Sequence, residues 1–551
     1  MPVSQVPPQE SLWTRLDDVK RPRESYLEHK KFFPTKTLLR LIDEETVERE
    51  LSRLPPDNPL ARNAKQTAKR ICDAEEPYQR IFAILTYIEK LYALNGFLEE
   101  EVTDKDLPLT KRKHDGKGTF DFVRNGTRLR CFGSFSDYYH RCFDQTQWKV
   151  LAPVFQRPKN GEVQHLELQE QAILPFEVEE EGPTGGYGSI LKVRIHPEHH
   201  NFDTSEFAIK RLPSQDELEK KACEAELKML SSFSDNSHPN LISVLAAYTH
   251  LGFFHLIFEW GEADLLKFWK EVKPNPIFNK DEVLWVAEQS KGLADGLLRV
   301  HQYGHGLPRE QPKSEMSMVA VTDNSSASNP TIKITPSDSI EIPKNPSQIT
   351  LYGRHGDIKP SNILWFKSTG MLVLTDFGLA EFHTILSRSG LPRTGLGVSP
   401  DYRPPEMDVD GGSVSRSYDI WSLGCVYLEL IAWLLGGYKL VQQFKAERTP
   451  GANVVNGQKS APFFELYLGG ESAKVKGSVT NFIKVLHAHR NCSAYLHDFL
   501  DLIQTRMLLI ESDPVLSDKR ITCGELRNRL EGMRAKCDDD PKYASTPAPR
   551  S

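Results

Sequence analysis

The sequence contains no pair of cysteines at C-x-x-C spacing, although it has eight cysteines in 551 residues. Neither a zinc ribbon nor a disulfide framework is therefore indicated, and the pattern is typical of a reducing compartment. The N-terminus lacks both a basic stretch and an apolar stretch, so it does not read as a secretory signal. From these absences we expect a cytoplasmic protein.

An excess of positive charge is also absent, because 69 Lys and Arg residues are balanced by 75 Asp and Glu residues. The resulting net charge of −6 argues against a protein that binds nucleic acid through bulk basic charge. A short basic run, Lys111 to Lys113, leaves nuclear import as an alternative, although such runs are more often solvated loops.

The most membrane-like stretch, residues 419–439, is interrupted by Glu429 and three glycines. A charged residue in the middle of an apolar run is costly in a bilayer, so we expect a buried helix there and no association with a membrane.

The predicted secondary structure changes along the chain. Apolar residues at helical spacing predict a mostly helical N-terminal region of unknown function over residues 1–165. From residue 168 to 535, short alternating strands give way to long helical segments. Residues 306–347 and the tail 538–551 are polar and poor in aromatics. We expect both to be disordered, since such segments bury too little apolar surface to offset the entropy of ordering.

A glycine cluster at residues 182–189 lies between two strand-like segments. Glycines allow backbone N–H groups to approach phosphate oxygens, but such a cluster is more often a plain hairpin turn. The segment Ala208-Ile209-Lys210 follows in the next strand-like stretch, where a lysine can reach nucleotide phosphates. Glu226 is the candidate partner that would hold the Lys210 ammonium, while an ordinary charged helix face remains the alternative.

The strongest signal lies further along the chain. His355-Gly356-Asp357-Ile358-Lys359-Pro360-Ser361-Asn362 is followed 14 residues later by Asp376-Phe377-Gly378. Each motif alone can occur by chance, but the glycine cluster, the lysine strand and these two motifs stand in one order. In this order and spacing the chain resembles the eukaryotic protein kinases, and Lys359 is the lysine of the serine/threonine type.

The resemblance implies an α+β fold with a bilobal kinase domain over residues 168–535, in which a small β-rich lobe precedes a large helical lobe. Phe258 stands in the gatekeeper position of the hinge strand, and Asp264 stands where the family often contacts the ribose. Pro404-Pro405-Glu406 resembles the end of the activation segment, and Arg520 stands where the family pairs that glutamate.

The same resemblance implies ATP and Mg²⁺ as cofactors and a protein hydroxyl group as the acceptor. Asp357 would accept the hydroxyl proton, Lys359 would stabilise charge at the γ-phosphate, and Asn362 and Asp376 would hold Mg²⁺. The residues implied to bind ATP are Gly185, Gly186, Gly188, Ile190, Ala208, Lys210, Glu226, Phe258, Glu259, Gly261 and Asp264.

One departure from the family pattern concerns regulation. Gly356 replaces the arginine that usually precedes the catalytic aspartate and often binds a phosphate on the activation segment. We therefore expect an active serine/threonine kinase in which this switch is absent or built differently. The alternatives are a pseudokinase and a signalling scaffold in which the N-terminal region is the adaptor for a partner. The combination of features resembles the expanded kinases of filamentous fungi.

Overall fold

The computed structural model divides the chain into two compact units. The first comprises Met1–Asp264 and Leu364–Gly378, and the second comprises Leu265–Ile363 and Leu379–Ser551. The predicted insertion at residues 306–347 lies outside the described residues. The structure describes residues 10–22, 30–114, 118–159, 162–185, 188–214, 216–234, 238–302, 353–376, 400–409, 415–449, 454–455, 458–467, 470–511, 519–548 and 550.

The N-terminal part of the first unit is built mainly from short helices. Side-chain caps start several of them: Ser11 accepts a hydrogen bond from the Thr14 amide, and Asp43 accepts one from the Thr46 amide. Their apolar faces meet in one core that includes Leu38. The helices are Leu12–Val19, Thr35–Leu41, Glu44–Ser52, Pro59–Arg62, Ala64–Ile71, Gln79–Tyr87, Leu94–Glu99 and Asp137–Val150.

A three-stranded antiparallel sheet interrupts these helices. Its strands are Thr110–Lys113, Phe120–Arg124 and Thr127–Arg128. The last two are joined by Asn125 and Gly126, which have φ values of 52° and 77°. Two successive left-handed residues are what a tight hairpin turn of matching twist requires. The N-terminal region therefore contains a small sheet in addition to the helices that the sequence predicts.

A six-stranded sheet follows in the first unit. It is antiparallel except at one edge, where the strand His165–Glu167 runs parallel to its neighbour. The residues Val193, Ile209 and Ile257 pack in the core on one of its faces. The helix Glu217–Ser234 follows the strand Phe207–Pro213 along the chain. In spatial order the strands are His165–Glu167, Ala246–His250, Phe253–Glu259, Phe207–Pro213, Gly188–Ile195 and Phe176–Gly185.

A further small sheet consists of three short strands. Ala263–Asp264 pairs with Ile363–Phe366, which neighbours Met371–Leu374. Leu374 also forms an isolated bridge with Leu241. The last strand of this sheet ends at Leu374, two residues before Asp376. The sheet therefore fixes the position of the backbone that leads to Asp376.

The second unit is mainly helical. The helix Ser417–Arg448 is long and apolar enough to cross a membrane, but 94% of its most apolar window is buried inside the protein. The buried helix predicted here is confirmed. The helix kinks at Gly437, which has a φ of 69°, and a Cβ there would lie 2.5 Å from the Pro274 carbonyl oxygen. The principal helices of this unit are Lys280–Gln302, Ser417–Arg448, Gly477–His487, Ala494–Leu502, Cys523–Asp539 and Pro541–Ser545. Two short antiparallel strand pairs accompany them, Val454–Val455 with Gln458–Lys459 and Phe464–Tyr467 with Ser472–Val475.

The prediction of a disordered tail at residues 538–551 is wrong for the part that the structure describes. The helix Pro541–Ser545 is capped by Asp540, whose carboxylate accepts the Lys542 amide, and it buries Ala544 completely. The Ala548 amide then donates a 2.7 Å hydrogen bond to the Cys492 carbonyl. The Tyr543 hydroxyl also donates a 2.8 Å hydrogen bond to Asp498 Oδ2, and Arg550 Nη1 donates one to Asp501 Oδ2 at 3.1 Å. Contacts with residues far away in the chain hold this segment, so its polar composition gives no sign of it.

Candidate active site

The first unit places Lys210 between two carboxylates. Its Nζ lies 3.0 Å from Glu226 Oε1 and 2.8 Å from Asp376 Oδ1. Burial by itself lowers the pKa of Lys210, but the two carboxylates outweigh it and raise the pKa above its usual value. Lys210 is therefore a fixed, largely buried cation, with 14% of its side chain exposed. The helix Glu217–Ser234 carries several glutamates, and Glu226 forms the ion pair with Lys210.

Asp376, which follows the strand Met371–Leu374, has an unusual backbone conformation. Its φ is 64°, in the left-handed region that a residue other than glycine seldom occupies. Such a conformation persists where the surroundings hold it, and it is common at functional sites. Here its carboxylate is directed to Lys210. Phe377 and Gly378, the rest of the predicted triplet, lie outside the described residues.

The strand register places the glycine cluster beside Lys210. Ile190 lies directly opposite Lys210 on the neighbouring strand, and two residues earlier in that strand Gly188 pairs with Gly185. At Gly182, an added Cβ would lie 2.9 Å from the Ile190 carbonyl oxygen, so the close approach of the two strands requires glycine. Gly186 lies outside the described residues. The antiparallel pairing of these two strands up to Gly185 and Gly188 fits the hairpin interpretation, and its position beside Lys210 fits the nucleotide-loop interpretation as well.

The predicted hinge residues follow on the adjacent strand. Phe258 lies opposite Ala208, two residues from Lys210 along the strand Phe207–Pro213. Burial and the nearby Glu262 raise the pKa of Glu259. An added Cβ at Gly261 would lie 3.1 Å from the Leu364 side chain, and Asp264 pairs with Leu364 in the small sheet. The first unit thus carries these residues on adjoining strands.

The second unit contains the other cluster, centred on Asp357. Lys359 Nζ donates a 2.7 Å hydrogen bond to Asp357 Oδ2, and Asn362 Nδ2 donates a 3.0 Å hydrogen bond to the same oxygen. Asn362 also donates to the Asp357 carbonyl oxygen at 2.9 Å. Asp357 is 4% exposed, so its carboxylate is held by these contacts. The three predicted catalytic residues are therefore brought together.

A buried carboxylate that the motifs did not identify as part of the site fixes the backbone of this cluster. Asp419 accepts hydrogen bonds from the amides of His355 and Gly356, at 2.9 and 2.8 Å, and from His301 Nε2 at 2.8 Å. Burial alone raises the pKa of Asp419, but these hydrogen bonds lower it overall. Asp419 is thus a positioning residue. Its place at the start of the helix Ser417–Arg448 was visible in the sequence, but its partners were not.

The pair predicted from the end of the activation segment is present. Arg520 donates two hydrogen bonds to the Glu406 carboxylate, at 2.6 and 2.9 Å, in the bidentate geometry that suits a guanidinium. Both side chains are buried.

Comparison with known proteins shows similarity to protein kinases over part of the chain. Residues 353–449 match the family model of the protein kinase domain. The chain is 45% identical over 73 residues to the serine/threonine-protein kinase RUNKEL of Arabidopsis thaliana, which covers 13% of this chain and 5% of that protein. It is 33% identical over 119 residues to cyclin-dependent kinase 14 of Xenopus tropicalis, covering 20% of this chain and 27% of that protein.

A longer match is to human cyclin-dependent kinase-like 4, at 26% identity over 249 residues, or 45% of this chain and 48% of that protein. The chain thus spans about half or less of the length of these curated relatives.

Proposed function

We propose that this chain, which carries a protein kinase domain of the serine/threonine type, is an active enzyme that transfers the γ-phosphate of ATP to hydroxyl groups of proteins. The observation that carries the proposal is the Lys210 ammonium held between Glu226 and Asp376. A lysine fixed in this way presents one positive charge at a defined place, which is what the phosphates of a nucleotide need.

The residues present fit both ATP and Mg²⁺. Asp376 and Asn362 offer carboxylate and amide oxygens, which are the hard ligands that Mg²⁺ prefers. When bound, Mg²⁺ neutralises phosphate charge in the transition state. The glycine cluster lies close to Lys210 in the sheet, because Ile190 pairs with Lys210. Backbone N–H groups of such a cluster are suitable donors to phosphate oxygens.

The remaining roles belong to the cluster around Asp357. Its carboxylate accepts the proton of the attacking hydroxyl group and orients the oxygen for in-line attack. Lys359, hydrogen-bonded to that carboxylate, adds a positive charge where the transferred group develops negative charge. A lysine two residues after Asp357, as Lys359 is, supports Ser and Thr as the acceptors. A pseudokinase is not favoured, because every one of these side chains is present.

A bilobal arrangement, with the six-stranded sheet in the small lobe and the helical unit as the large lobe, is part of the same proposal. So are a cytoplasmic location, the absence of nucleic acid and membrane ligands, and a signalling partner for the N-terminal region. Fractionation of cells that express a tagged chain tests the location. A nuclear pool that shrinks when the charges of Lys111 to Lys113 are neutralised would contradict it.

The activity is tested with the full chain, radiolabelled ATP, Mg²⁺ and a generic protein substrate, followed by phosphoamino acid analysis. We expect label on Ser and Thr, and a loss of at least about 100-fold in Lys210→Met. Lys192→Met is the matched control, since Lys192 lies on the neighbouring strand and pairs with Glu206 at 2.9 Å. Its rate should stay within about twofold of the wild type. A wild-type rate no higher than that of Lys210→Met would support the pseudokinase.

A further inference from the structure

Two histidines and a cysteine meet in the second unit, at the connection between two helices. His487 ends the helix Gly477–His487, Cys492 lies in the connection, and His497 lies in the helix Ala494–Leu502. Their ligand atoms all lie within 4.8 Å of one another. Cys492 and His497 are buried, and His487 is half-buried. None of these residues belongs to the candidate active site.

The hydrogen bonding of His497 determines which of its nitrogens is available. His497 Nε2 lies 2.7 Å from the Ala548 carbonyl oxygen. Because a carbonyl oxygen only accepts, the proton of the neutral ring lies on Nε2 and leaves a lone pair on Nδ1. That Nδ1 faces His487 Nδ1 at 2.7 Å and Cys492 Sγ at 3.6 Å. His497 thus points its lone pair into the cluster.

His487 has the same arrangement. Its Nε2 lies 3.4 Å from Asp501 Oδ1, and its Nδ1 faces inward to His497. The two rings are parallel to within 5°. With both outer nitrogens protonated toward oxygen acceptors, two lone pairs face each other at a distance that is repulsive unless a cation lies between them. A shared proton or a metal ion supplies that cation, and the adjacent Cys492 thiol favours the metal.

We propose that His487, Cys492 and His497 form a binding site for one Zn²⁺ ion. Two imidazole nitrogens and one sulfur suit zinc, whereas Mg²⁺ and Ca²⁺ prefer oxygen ligands. Zinc bonds of about 2.0–2.1 Å to nitrogen and about 2.3 Å to sulfur give tetrahedral edges of about 3.4 Å between nitrogens and about 3.6 Å between nitrogen and sulfur. The 3.6 Å edge from Cys492 to His497 matches, and the 2.7 Å edge between the two histidines has to lengthen by about 0.7 Å, which half-buried His487 can supply by moving outward.

The surroundings supply the outer contacts that zinc-binding histidines generally have. A backbone carbonyl orients His497 and a carboxylate faces His487, which sets the ring nitrogen that binds the metal. On binding, Cys492 loses its thiol proton to solvent and bonds to zinc as the thiolate. Three protein ligands leave a fourth position, which water takes in a tetrahedral site.

The site also involves the C-terminal segment. The Ala548 amide donates to the Cys492 carbonyl at 2.7 Å, and the Arg550 amide donates to the His487 carbonyl at 3.0 Å. Ala548 thus contacts two of the three ligand residues through its backbone. Zinc binding and the docking of Ala548 and Arg550 should therefore stabilise each other, because each orders the same backbone.

The test is a titration of the chelator-treated full chain with Zn²⁺ and, separately, Co²⁺, in excess Mg²⁺ to occupy oxygen-ligand sites. We expect one ion per chain and, with Co²⁺, the near-ultraviolet band of a thiolate-to-cobalt charge transfer. Cys492→Ser should abolish this band and weaken Zn²⁺ binding by at least about 100-fold. Ending the chain after Pro547 should weaken binding by about 10-fold, since His497 loses its acceptor.

The matched control is His489→Asn, because His489 lies in the same connection, is half-buried and does not belong to the cluster. It should bind Zn²⁺ as the wild type does. If circular dichroism shows that Cys492→Ser does not fold, His487→Gln provides the comparison, since that side chain lies at the rim. Equal Zn²⁺ affinity in the wild type and the ligand variants, or no cobalt band in the wild type, would overturn the proposal in favour of a histidine pair that shares a proton.

Discussion

The backbone amide of Gly356 donates a 2.8 Å hydrogen bond to the buried carboxylate of Asp419, 63 residues further along the chain. Gly356 has a φ of 83°, which glycine adopts without strain. The neighbouring amide of His355 donates to the other oxygen of the same carboxylate. The segment that carries Asp357 is therefore held by the start of a buried helix.

Asp419→Asn should impair both activity and stability. The amide group of asparagine brings N–H donors to a place where three donors already converge, so at least one buried donor loses its acceptor. We expect a loss of about 3 kcal/mol in the free energy of unfolding and a fall of at least tenfold in turnover. Chemical denaturation and initial rates measure the two effects. Asp408→Asn, which breaks only a pair with Arg403, is the control.

Gly356 also leads us to expect that phosphorylation of the activation segment is dispensable. A phosphate adds about −1.5 to −2 charges and orders such a segment by binding a cation, which the glycine cannot supply. Changing Thr384, Ser387, Ser389 and Thr394 to Ala and treating the protein with phosphatase should leave the initial rate within about threefold. A fall of more than about tenfold, or ~1.4 kcal/mol in the barrier, would mean that another cation binds a phosphate.

The stability of the first unit should depend on pH through His199. Its Nδ1 donates to the Pro153 carbonyl and its Nε2 accepts the Thr35 amide, so the fold requires the neutral ring. Burial lowers the pKa of His199 from 6.5 to about 4. Because the unfolded chain then binds the proton more readily, stability is full above pH 6.5 and falls as the pH drops towards 4.

The size of this effect is up to about 3 kcal/mol. His199→Gln removes the titrating group, so the difference in unfolding free energy between wild type and variant should shrink by about that amount from pH 7 to pH 4. Other histidines contribute equally to both proteins and cancel. A difference that does not change with pH would show that His199 is not a buried neutral ring.

The N-terminal region should be inseparable from the six-stranded sheet. Phe32 is fully buried with its ring edge-on to His199, and Thr37 donates two hydrogen bonds to Glu198, at 2.8 and 2.6 Å. Phe32→Ala should cost about 3–5 kcal/mol of unfolding free energy, and Thr37→Val about 1–3 kcal/mol. A single cooperative unfolding transition in both variants would support one folded body. Independent melting of the N-terminal region would contradict it.

Local motifs were sufficient to predict part of this site. Lys210 and its partner Glu226 could be predicted because a strand followed by a helix restricts where the two side chains meet. The pair of Glu406 and Arg520 was also predictable, since family order gave both positions. In each case the sequence pattern specified the contact although the residues lie far apart in the chain.

Other features depend on contacts that have no local pattern. The helix Gln79–Tyr87 does not extend past Glu89, because Glu89 adopts a φ of 58° that a helix cannot continue. The hydrogen bonds of Asp419 and the assembly of His487, Cys492 and His497 arise only when distant segments pack. No C-x-x-C spacing marked the latter, so the sequence did not indicate a metal site.

The most direct test of the proposed function is the turnover of Asp376→Asn at saturating Mg²⁺ and ATP, measured beside its melting temperature. Asparagine keeps the shape but removes the charge of the proposed Mg²⁺ ligand, while Lys210 retains Glu226. We expect at least a 100-fold loss of phosphoryl transfer and a melting temperature within about 2 to 4 °C of the wild type, or about 1 kcal/mol. Wild-type turnover in this folded variant would contradict the kinase mechanism.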